Sequence, residues 1–163
     1  MAIVKFKGTE VHTSGKLPEV GTQAHDFTLV GQDLNEIRLK DYSEKRVLLN
    51  IFPSLDTPTC AASVRKFNKW MSEKENVVVI CISKDLPFAQ GRFCGAEGLN
   101  NVITASDFRN PNFAQDYGVL ITDSPLKGLM ARAIVAIDEN GKVIYTQLVD
   151  EISEEPNYDI NVF

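Results

Sequence analysis

The sequence predicts a single α/β domain whose central sheet mixes parallel and antiparallel strands and is flanked by helices. A buried strand at 47–52, a helix at 59–73 and an apolar strand at 77–82 follow one another, which is the order of a parallel strand–helix–strand unit. Later in the chain, two apolar runs enclose Asn140-Gly141, a strong signal for an antiparallel hairpin. A chain of 163 residues accommodates one domain with a proper core, so we assign 1–163 to it.

The remaining elements are predicted from shorter patterns. An added N-terminal β-hairpin is expected around the turn at 7–10. The run Val77 to Ile82 is almost wholly apolar and β-branched, as expected for a central strand buried on both faces. A helix starting near Leu86 is expected to end at Cys94, since Gly95 is a helix-stop signal. The predicted strands are 4–6, 11–13, 27–30, 36–39, 47–52, 77–82, 102–103, 133–137 and 142–146, and the predicted helices are 59–73, 86–93 and 112–117.

Composition and charge exclude several classes of function. A net charge of −5 and a pI near 5.1 argue against nucleic-acid binding, which needs a basic face, and more weakly against anionic membrane surfaces. No apolar run approaches the ~20 residues of a membrane span. The segment Met1 to Gly8 lacks the apolar centre of a signal peptide, so we expect a cytoplasmic protein. Three cysteines, an odd number, do not suggest a secreted disulfide framework; they indicate structural thiols, metal ligands or redox catalysts.

The most informative segment is P-S-L-D-T-P-T-C at residues 53–60, between a predicted strand and a predicted helix. Cys60 therefore lies in the first turn of a helix that leaves the carboxyl end of a strand, where active positions of α/β sheets cluster. Free backbone N–H groups and the positive end of the helix dipole stabilise a thiolate there and raise its reactivity. The pattern favours a reactive nucleophile over the alternative, a small buried residue at a strand–helix turn.

This segment resembles the peroxidatic motif of the peroxiredoxins, P-x-x-x-T-x-x-C. The longer match D-T-P-x-C-x-x-S-V-R-K-F-N is similar to the bacterial thiol peroxidase branch, an atypical two-cysteine class. The similarity continues through S-K-D-L-P-F-A-Q-G-R-F-C at 83–94 and L-M-A-R-A-I-V-A-I-D-E-N-G-K-V at 129–143. The resemblance implies a thioredoxin-like fold, which the element order permits without distinguishing it from other small α/β folds. It also implies a thiol-dependent peroxidase acting on hydrogen peroxide and organic hydroperoxides.

Reducing a peroxide with a thiol requires an anionic sulfur, donors that hold the peroxide and stabilisation of the departing oxygen. Cys60 is the candidate nucleophile. The Thr57 hydroxyl can accept from the peroxide and donate to the sulfur, or it can simply cap the helix. The resemblance places the active-site arginine at Arg132, which otherwise reads as a solvated strand end. Pro53 and Pro58 are expected to rigidify the pocket and shield the sulfur from water, although Pro53 is equally well explained as a strand terminator.

The other two cysteines compete for the role of resolving thiol. The sulfenic acid formed at Cys60 must be resolved before it is oxidised further. The resemblance implies Cys94, in the matching F-C position, as its partner in an intrasubunit disulfide. Cys81 lies inside the strand 77–82, where a buried, inert thiol is the better interpretation. A disulfide needs Cα atoms within about 7 Å, so two helix-borne thiols are expected to pair only after local unfolding.

No metal and no cofactor are expected, because the cysteines are widely spaced and His12 and His25 lie far from any of them in the sequence. The resemblance implies thioredoxin as reductant, hydroperoxides as substrates and a homodimer. Two alternatives stay open. A thioredoxin-type thiol–disulfide oxidoreductase would have C-x-x-C, whereas residue 57 is threonine. A non-catalytic redox sensor on the same fold would lack Thr57 or Arg132.

Two further expectations concern the surroundings of the site. Arg65 follows Cys60 by slightly more than one helical turn and is expected to be a surface or outer charge. The resembled proteins continue after the residue matching Tyr158 in an alanine- and leucine-rich helix. This chain instead has Asp159-Ile160-Asn161-Val162-Phe163, so its last helix is expected to be short or frayed.

Overall fold

The computed structural model describes residues 1–110 and 112–163 and has the predicted alternation of strands and helices. The helices are α1 (Pro58–Met71), α2 (Pro87–Glu97) and α3 (Asn112–Asp116), and a short 3-10 helix spans Leu39–Tyr42. The strands are β1 (Ile3–Phe6), β2 (Thr9–His12), β3 (Thr28–Gly31), β4 (Glu36–Arg38), β5 (Arg46–Ile51), β6 (Val77–Ser83), β7 (Ile103–Ser106), β8 (Ala133–Ile137) and β9 (Val143–Leu148).

The central sheet has seven strands in the order β4-β3-β7-β6-β5-β8-β9, and β1 pairs with β2 in a separate N-terminal hairpin. Strands β5, β6 and β7 are parallel, while β8 runs antiparallel to β5 and β3 antiparallel to β7. The predicted α/β class with a mixed sheet and an added hairpin is confirmed. Since β5, β6 and β7 are parallel, their carboxyl ends meet at one edge, where α1 and α2 begin.

The sheet carries a hydrophobic core on each face. Leu48 and Ile134 pack with the buried stripe of α1, whereas Leu49 and Val135 pack on the opposite face with Phe113 of α3. This division follows from the alternation of side chains along a strand. The same alternation places Arg132 on the face of the sheet that carries Ile134, because the two residues are two positions apart. That face is the one covered by α1.

A third apolar cluster attaches the hairpin to the body of the domain. Val4 and Val11 pack with Ile121, Ala131 and Ile152. Backbone hydrogen bonds also connect them: the Lys5 N–H donates to the Asp150 carbonyl at 2.6 Å, and the Ile152 N–H donates to the Lys5 carbonyl at 2.8 Å. The hairpin therefore lies next to the residues that precede β8 and to those that follow β9.

Two sequence expectations differ from the structure. The predicted end of the second helix at Cys94 is wrong, because α2 runs through Gly95 to Glu97. Gly98 ends it in the left-handed conformation, with φ of 65°, and the N–H groups of Gly98 and Leu99 both donate to the Cys94 carbonyl. A terminal helix is also not formed: residues 155–163 have no helix or strand. β-Branched Ile160 and Val162 favour a helix less than the alanine and leucine of the resembled proteins.

The terminal segment packs nevertheless. The Tyr158 ring meets the Phe67 ring edge-on with centroids 5.3 Å apart, and Phe163 lies 6.4 Å from Trp70. The segment therefore packs against α1 beside its buried face and joins the same apolar cluster. Among the described residues, none of the helices is long and apolar enough to cross a membrane.

Candidate active site

The loop at 52–57 and the first turn of α1 position Cys60. Thr57 is the N-cap residue with an extended backbone, and its Oγ1 accepts the N–H of Cys60 at 3.3 Å. Pro58 occupies the first helical position, where no N–H is needed. The Thr57 hydroxyl donates to the Ser54 carbonyl at 3.0 Å. In this conformation Thr57 therefore caps the helix. Its hydroxyl hydrogen is donated to the Ser54 carbonyl and not to the Cys60 sulfur.

Strand pairing brings Arg132 to this turn. β8 is antiparallel to β5 with Ala133 opposite Ile51, so the residue before β8 lies beside the loop that follows β5. Arg132 Nη2 donates to Cys60 Sγ at 3.2 Å, and Nε donates to the Ile152 carbonyl at 3.0 Å. Only 1% of Arg132 is exposed, so it is not the solvated strand end that the sequence also allowed.

Burial of Arg132 has an electrostatic consequence for Cys60. A buried guanidinium is costly without a compensating negative charge. Among the described residues, its hydrogen-bond partners are a carbonyl and the Cys60 sulfur, so a thiolate at Cys60 would supply that charge. The third nitrogen, Nη1, is buried and has no hydrogen-bond partner among the described residues. This free donor is available for an oxygen atom of a substrate.

A cavity of about 270 Å³ lies over Arg132 and the start of α1. The predicted site residues Pro53, Thr57, Pro58 and Arg132 line it, joined by Phe6, Lys7, Thr59, Leu126, Leu129, Ile152 and Ser153. Thr59 also donates from its hydroxyl to the Ser153 carbonyl at 2.9 Å. Sequence reasoning missed the contribution of the hairpin and of the 126–129 loop, because only packing between distant segments brings them here.

Cys94 lies on α2, whereas Cys60 lies on α1, and both thiols are free and buried. Burial raises the pKa of the Cys94 thiol, and hydrogen bonding to Gln32 and Thr104 partly opposes that rise. Cys94 is therefore protonated at neutral pH in this conformation. It must become more exposed, or gain a base, before it can act as a nucleophile.

Cys81 lies in the middle of β6 and is fully buried. Asn50 Nδ2 lies 3.6 Å from its sulfur and supplies its one polar contact in the described structure. Burial raises the pKa of Cys81 to about 12, which leaves essentially no thiolate at neutral pH. The environment fits the inert thiol that the sequence indicated.

Arg65 joins the two cysteine-bearing helices at the surface. Its Nη2 donates to Glu97 Oε1 at 2.7 Å, and its Nε donates to the other carboxylate oxygen. The guanidinium lies over the Phe93 ring at 5.6 Å from the centroid. Since 48% of the Arg65 side chain is exposed, it is a surface charge that bridges α1 and α2 rather than a part of the cavity.

Comparison with known proteins identifies the family to which this chain belongs. Residues 19–161 match the Redoxin family. The chain is 56% identical over 159 residues to a thiol peroxidase of Corynebacterium glutamicum, covering 98% of this chain and 96% of the relative. It is 54% identical to a thiol peroxidase of Mycobacterium bovis, covering 98% and 95%.

The solved structures agree. A peroxiredoxin-like protein from Aquifex aeolicus is 45% identical, with a TM-score of 0.92 and coverage of 98% of this chain and 92% of that one. A thiol peroxidase from Chromobacterium violaceum, at 24% identity and a TM-score of 0.89 over 96% and 91% of the two chains, shares the fold. The thioredoxin-like fold predicted from the resemblance is confirmed. The chain therefore belongs to the Redoxin family and, within it, to the thiol peroxidase branch of the peroxiredoxins.

Proposed function

We propose that this thiol-dependent peroxidase reduces hydrogen peroxide and organic hydroperoxides with Cys60 as its nucleophile. One observation carries the proposal: the Cys60 sulfur is hydrogen-bonded to Arg132, which faces the cavity with a free, buried Nη1. An anionic sulfur next to an unused cationic donor is what attack on an O–O bond requires. The apolar side chains around the cavity suit the organic part of a hydroperoxide.

In the first step the Cys60 thiolate attacks the terminal oxygen of the hydroperoxide. A sulfur–oxygen bond forms and the O–O bond breaks, which leaves a sulfenic acid on Cys60. The electron pair of the O–O bond departs with the other oxygen as alkoxide or hydroxide, which takes a proton to become alcohol or water. Arg132 Nη1 stabilises the departing oxygen, and Thr57 accepts from the bound hydroperoxide. Pro53 and Pro58 restrict water near the sulfur.

In the second step Cys94, as a thiolate, attacks the sulfur of the sulfenic acid. An S–S bond forms, the S–O bond breaks, and the hydroxide released takes a proton to become water. Since both cysteines are buried in separate helices, the first turn of α1 has to open. That turn is held at Thr57 by the cap and at Thr59 by the bond to Ser153, both at a helix end where few bonds are lost.

In the third step a thioredoxin dithiol reduces the Cys60–Cys94 disulfide and is itself oxidised to a disulfide. This cycle needs a reducing compartment, for which we propose the cytoplasm. We also propose a homodimer, supported by large apolar side chains exposed near the carboxyl edge of the sheet. Leu86, Phe88 and Phe108 are 51%, 69% and 44% exposed.

A thioredoxin-coupled assay tests the proposed cycle against its alternatives. Purified protein, thioredoxin and thioredoxin reductase are mixed with hydrogen peroxide or tert-butyl hydroperoxide, and peroxide loss is followed. We expect many equivalents of either peroxide to be consumed per protein molecule. A redox sensor would consume one equivalent and stop. A thiol–disulfide oxidoreductase would leave the peroxide untouched, and either result would overturn the proposal.

A further inference from the structure

The carboxylate of Asp85 joins the cysteine-bearing loop to the strand that leads into α2. Its Oδ1 accepts from the Ser54 hydroxyl at 2.7 Å. Its Oδ2 accepts from the Leu55 N–H at 2.8 Å and from the Ser83 hydroxyl at 2.6 Å. Two of these donors belong to the loop after β5 and one belongs to β6. Hydrogen bonds to a charged acceptor are stronger than neutral ones, so Asp85 fixes the loop to the sheet edge.

From Asp85 the hydrogen bonds continue to the reacting group. The Ser54 carbonyl accepts from both the Thr57 hydroxyl, at 3.0 Å, and the Thr57 N–H, at 3.2 Å. Thr57 Oγ1 in turn accepts the Cys60 N–H. The position of the Thr57 hydroxyl in the cavity therefore depends on Ser54, whose own side chain is bonded to Asp85.

In the other direction the bonds reach the helix of Cys94. The Ser83 hydroxyl that donates to Asp85 also accepts from Gln90 Nε2 at 3.2 Å. Gln90 lies on α2, fully buried, one turn before Cys94, and Nε2 also donates to the Ala105 carbonyl of β7 at 2.9 Å. Asp85 is thus bonded to two strand-end segments that support the two cysteines.

We propose that Asp85 is a positioning residue for peroxide reduction: through Ser54 and Leu55 it holds the Thr57 hydroxyl where the hydroperoxide binds. This proposal rests on the proposed role of Cys60. Asp85 does not contact Cys60 or Arg132 in the described hydrogen bonds, so its effect is on geometry rather than on the charge of the sulfur. Small displacements of positioned groups are costly in such reactions.

The test is a comparison of two rates at the same sulfur, measured with Cys94 replaced by serine so that no disulfide forms. One is the second-order rate of Cys60 oxidation by hydrogen peroxide, followed by intact mass; the other is the rate of Cys60 alkylation by iodoacetamide. Both reactions need the thiolate, but only the peroxide reaction needs the Thr57 hydroxyl in a fixed position. The variants are Asp85→Ala, the conservative Asp85→Asn, and Asp116→Ala as a control, since Asp116 is an exposed carboxylate on α3 across the sheet.

We expect Asp85→Ala to lower the peroxide rate on the order of 10²-fold while the alkylation rate changes less than ~3-fold. Asp85→Asn keeps an acceptor for the Leu55 N–H and an amide beside Ser54, so it should restore most of the peroxide rate. Asp116→Ala should match the wild type. The proposal is overturned if both rates fall together, if the peroxide rate of Asp85→Ala is unchanged, or if Asp85→Asn loses as much as Asp85→Ala.

If Asp85→Ala does not fold, the same link can be tested with a substitution at its hydrogen-bond partner in the loop. Ser54→Ala removes one of the three donors and should lower the peroxide rate by ~10-fold with alkylation unchanged. An unchanged peroxide rate in Ser54→Ala would contradict the proposed link. Two failures can be told apart. If the proposed peroxidase function is wrong, Cys60 is not oxidised by peroxide even with Asp85 intact. If only the role of Asp85 is wrong, Cys60 is oxidised normally and the rate does not depend on Asp85.

Discussion

Arg132 Nη2 lies 3.2 Å from the Sγ of Cys60, although 72 positions separate the two residues in the sequence. The contact follows from the pairing of β8 with β5 and from the side-chain alternation that turns residue 132 toward α1. It places a buried cation against the sulfur, while Nη1 of the same guanidinium, which lines the cavity, has no hydrogen-bond partner among the described residues. The chemistry of the proposed site depends on this relationship more than on any other.

Replacing Arg132 by methionine should slow Cys60 oxidation while the fold is kept. The substitution removes the donor to the sulfur and the donor proposed for the departing oxygen. Loss of one such preorganised donor costs ~2.7–4 kcal/mol, or about 10²- to 10³-fold in rate. Stopped-flow oxidation by hydrogen peroxide measures it. Arg65→Met is the matched control, because it removes an arginine from α1 that lies outside the cavity. Equal rates in wild type and Arg132→Met would exclude the electrostatic role.

The two buried thiols other than Cys60 should behave differently when each is replaced by serine. Cys94→Ser should reduce one equivalent of peroxide and then stop, because the sulfenic acid has no resolving partner. Cys81→Ser should retain thioredoxin-supported turnover, since Cys81 is buried in β6 with a strongly raised pKa. Peroxide consumption per molecule distinguishes the two. If Cys81→Ser stops recycling and Cys94→Ser does not, the resolving cysteine is Cys81.

The raised pKa of Cys81 should make the folded protein less stable at alkaline pH. Burial raises its pKa from 9.0 to about 12, so the folded state keeps a proton that the unfolded chain releases above about pH 9. The unfolded state then binds fewer protons, and the free energy of unfolding falls as pH rises, by about 1 kcal/mol per pH unit. Below about pH 9 both states are protonated and this contribution is constant.

Urea unfolding under reducing conditions at several pH values between about 8 and 10 measures this effect. Tyrosines and Cys94 also titrate in the alkaline range, but they are common to the wild type and Cys81→Ser. The difference in unfolding free energy between these two proteins should therefore shift with pH in favour of the variant. A difference that stays constant over the range would show that Cys81 ionises normally in the folded state.

Oxidation should loosen the structure around the two proposed partners. Cys60 and Cys94 are buried on different helices, so forming the disulfide requires local opening. Amide hydrogen exchange in the disulfide form should be faster at 57–64 and 88–96, whereas the strand 77–82 should stay protected. Equal protection of both segments in the two redox states would mean that no unfolding step precedes pairing.

The parts of the fold that were predictable from sequence have strong local signals. The apolar run of β6 and the Asn140-Gly141 turn, where Gly141 has φ of 79°, were both located closely. The first helix was predicted at 59–73 and begins at Pro58, directly after the cap at Thr57. The end of α2 was misjudged because two glycines compete for it. Gly95 is accommodated inside the helix, and only Gly98 adopts the left-handed conformation that ends it.

The site was predictable only in part. Cys60, Thr57 and Pro58 are neighbours in sequence, so local reasoning could place them together at the start of α1. Arg132 was identified through the family resemblance, since strand pairing cannot be read from its own surroundings. The roles of Phe6 in the cavity and of Asp85 beside the loop depend on contacts between distant segments, for which the sequence has no spacing rule.

The most direct measurement of the central claim is thioredoxin-coupled peroxide turnover of Cys60→Ser beside Cys81→Ser and the wild type. A serine hydroxyl supplies almost no anion at neutral pH, so the nucleophile is lost while the shape of the site is kept. We predict no turnover above background for Cys60→Ser and near wild-type turnover for Cys81→Ser. Substantial peroxide turnover by purified, folded Cys60→Ser would contradict the assignment of Cys60 as the peroxide-reducing thiol.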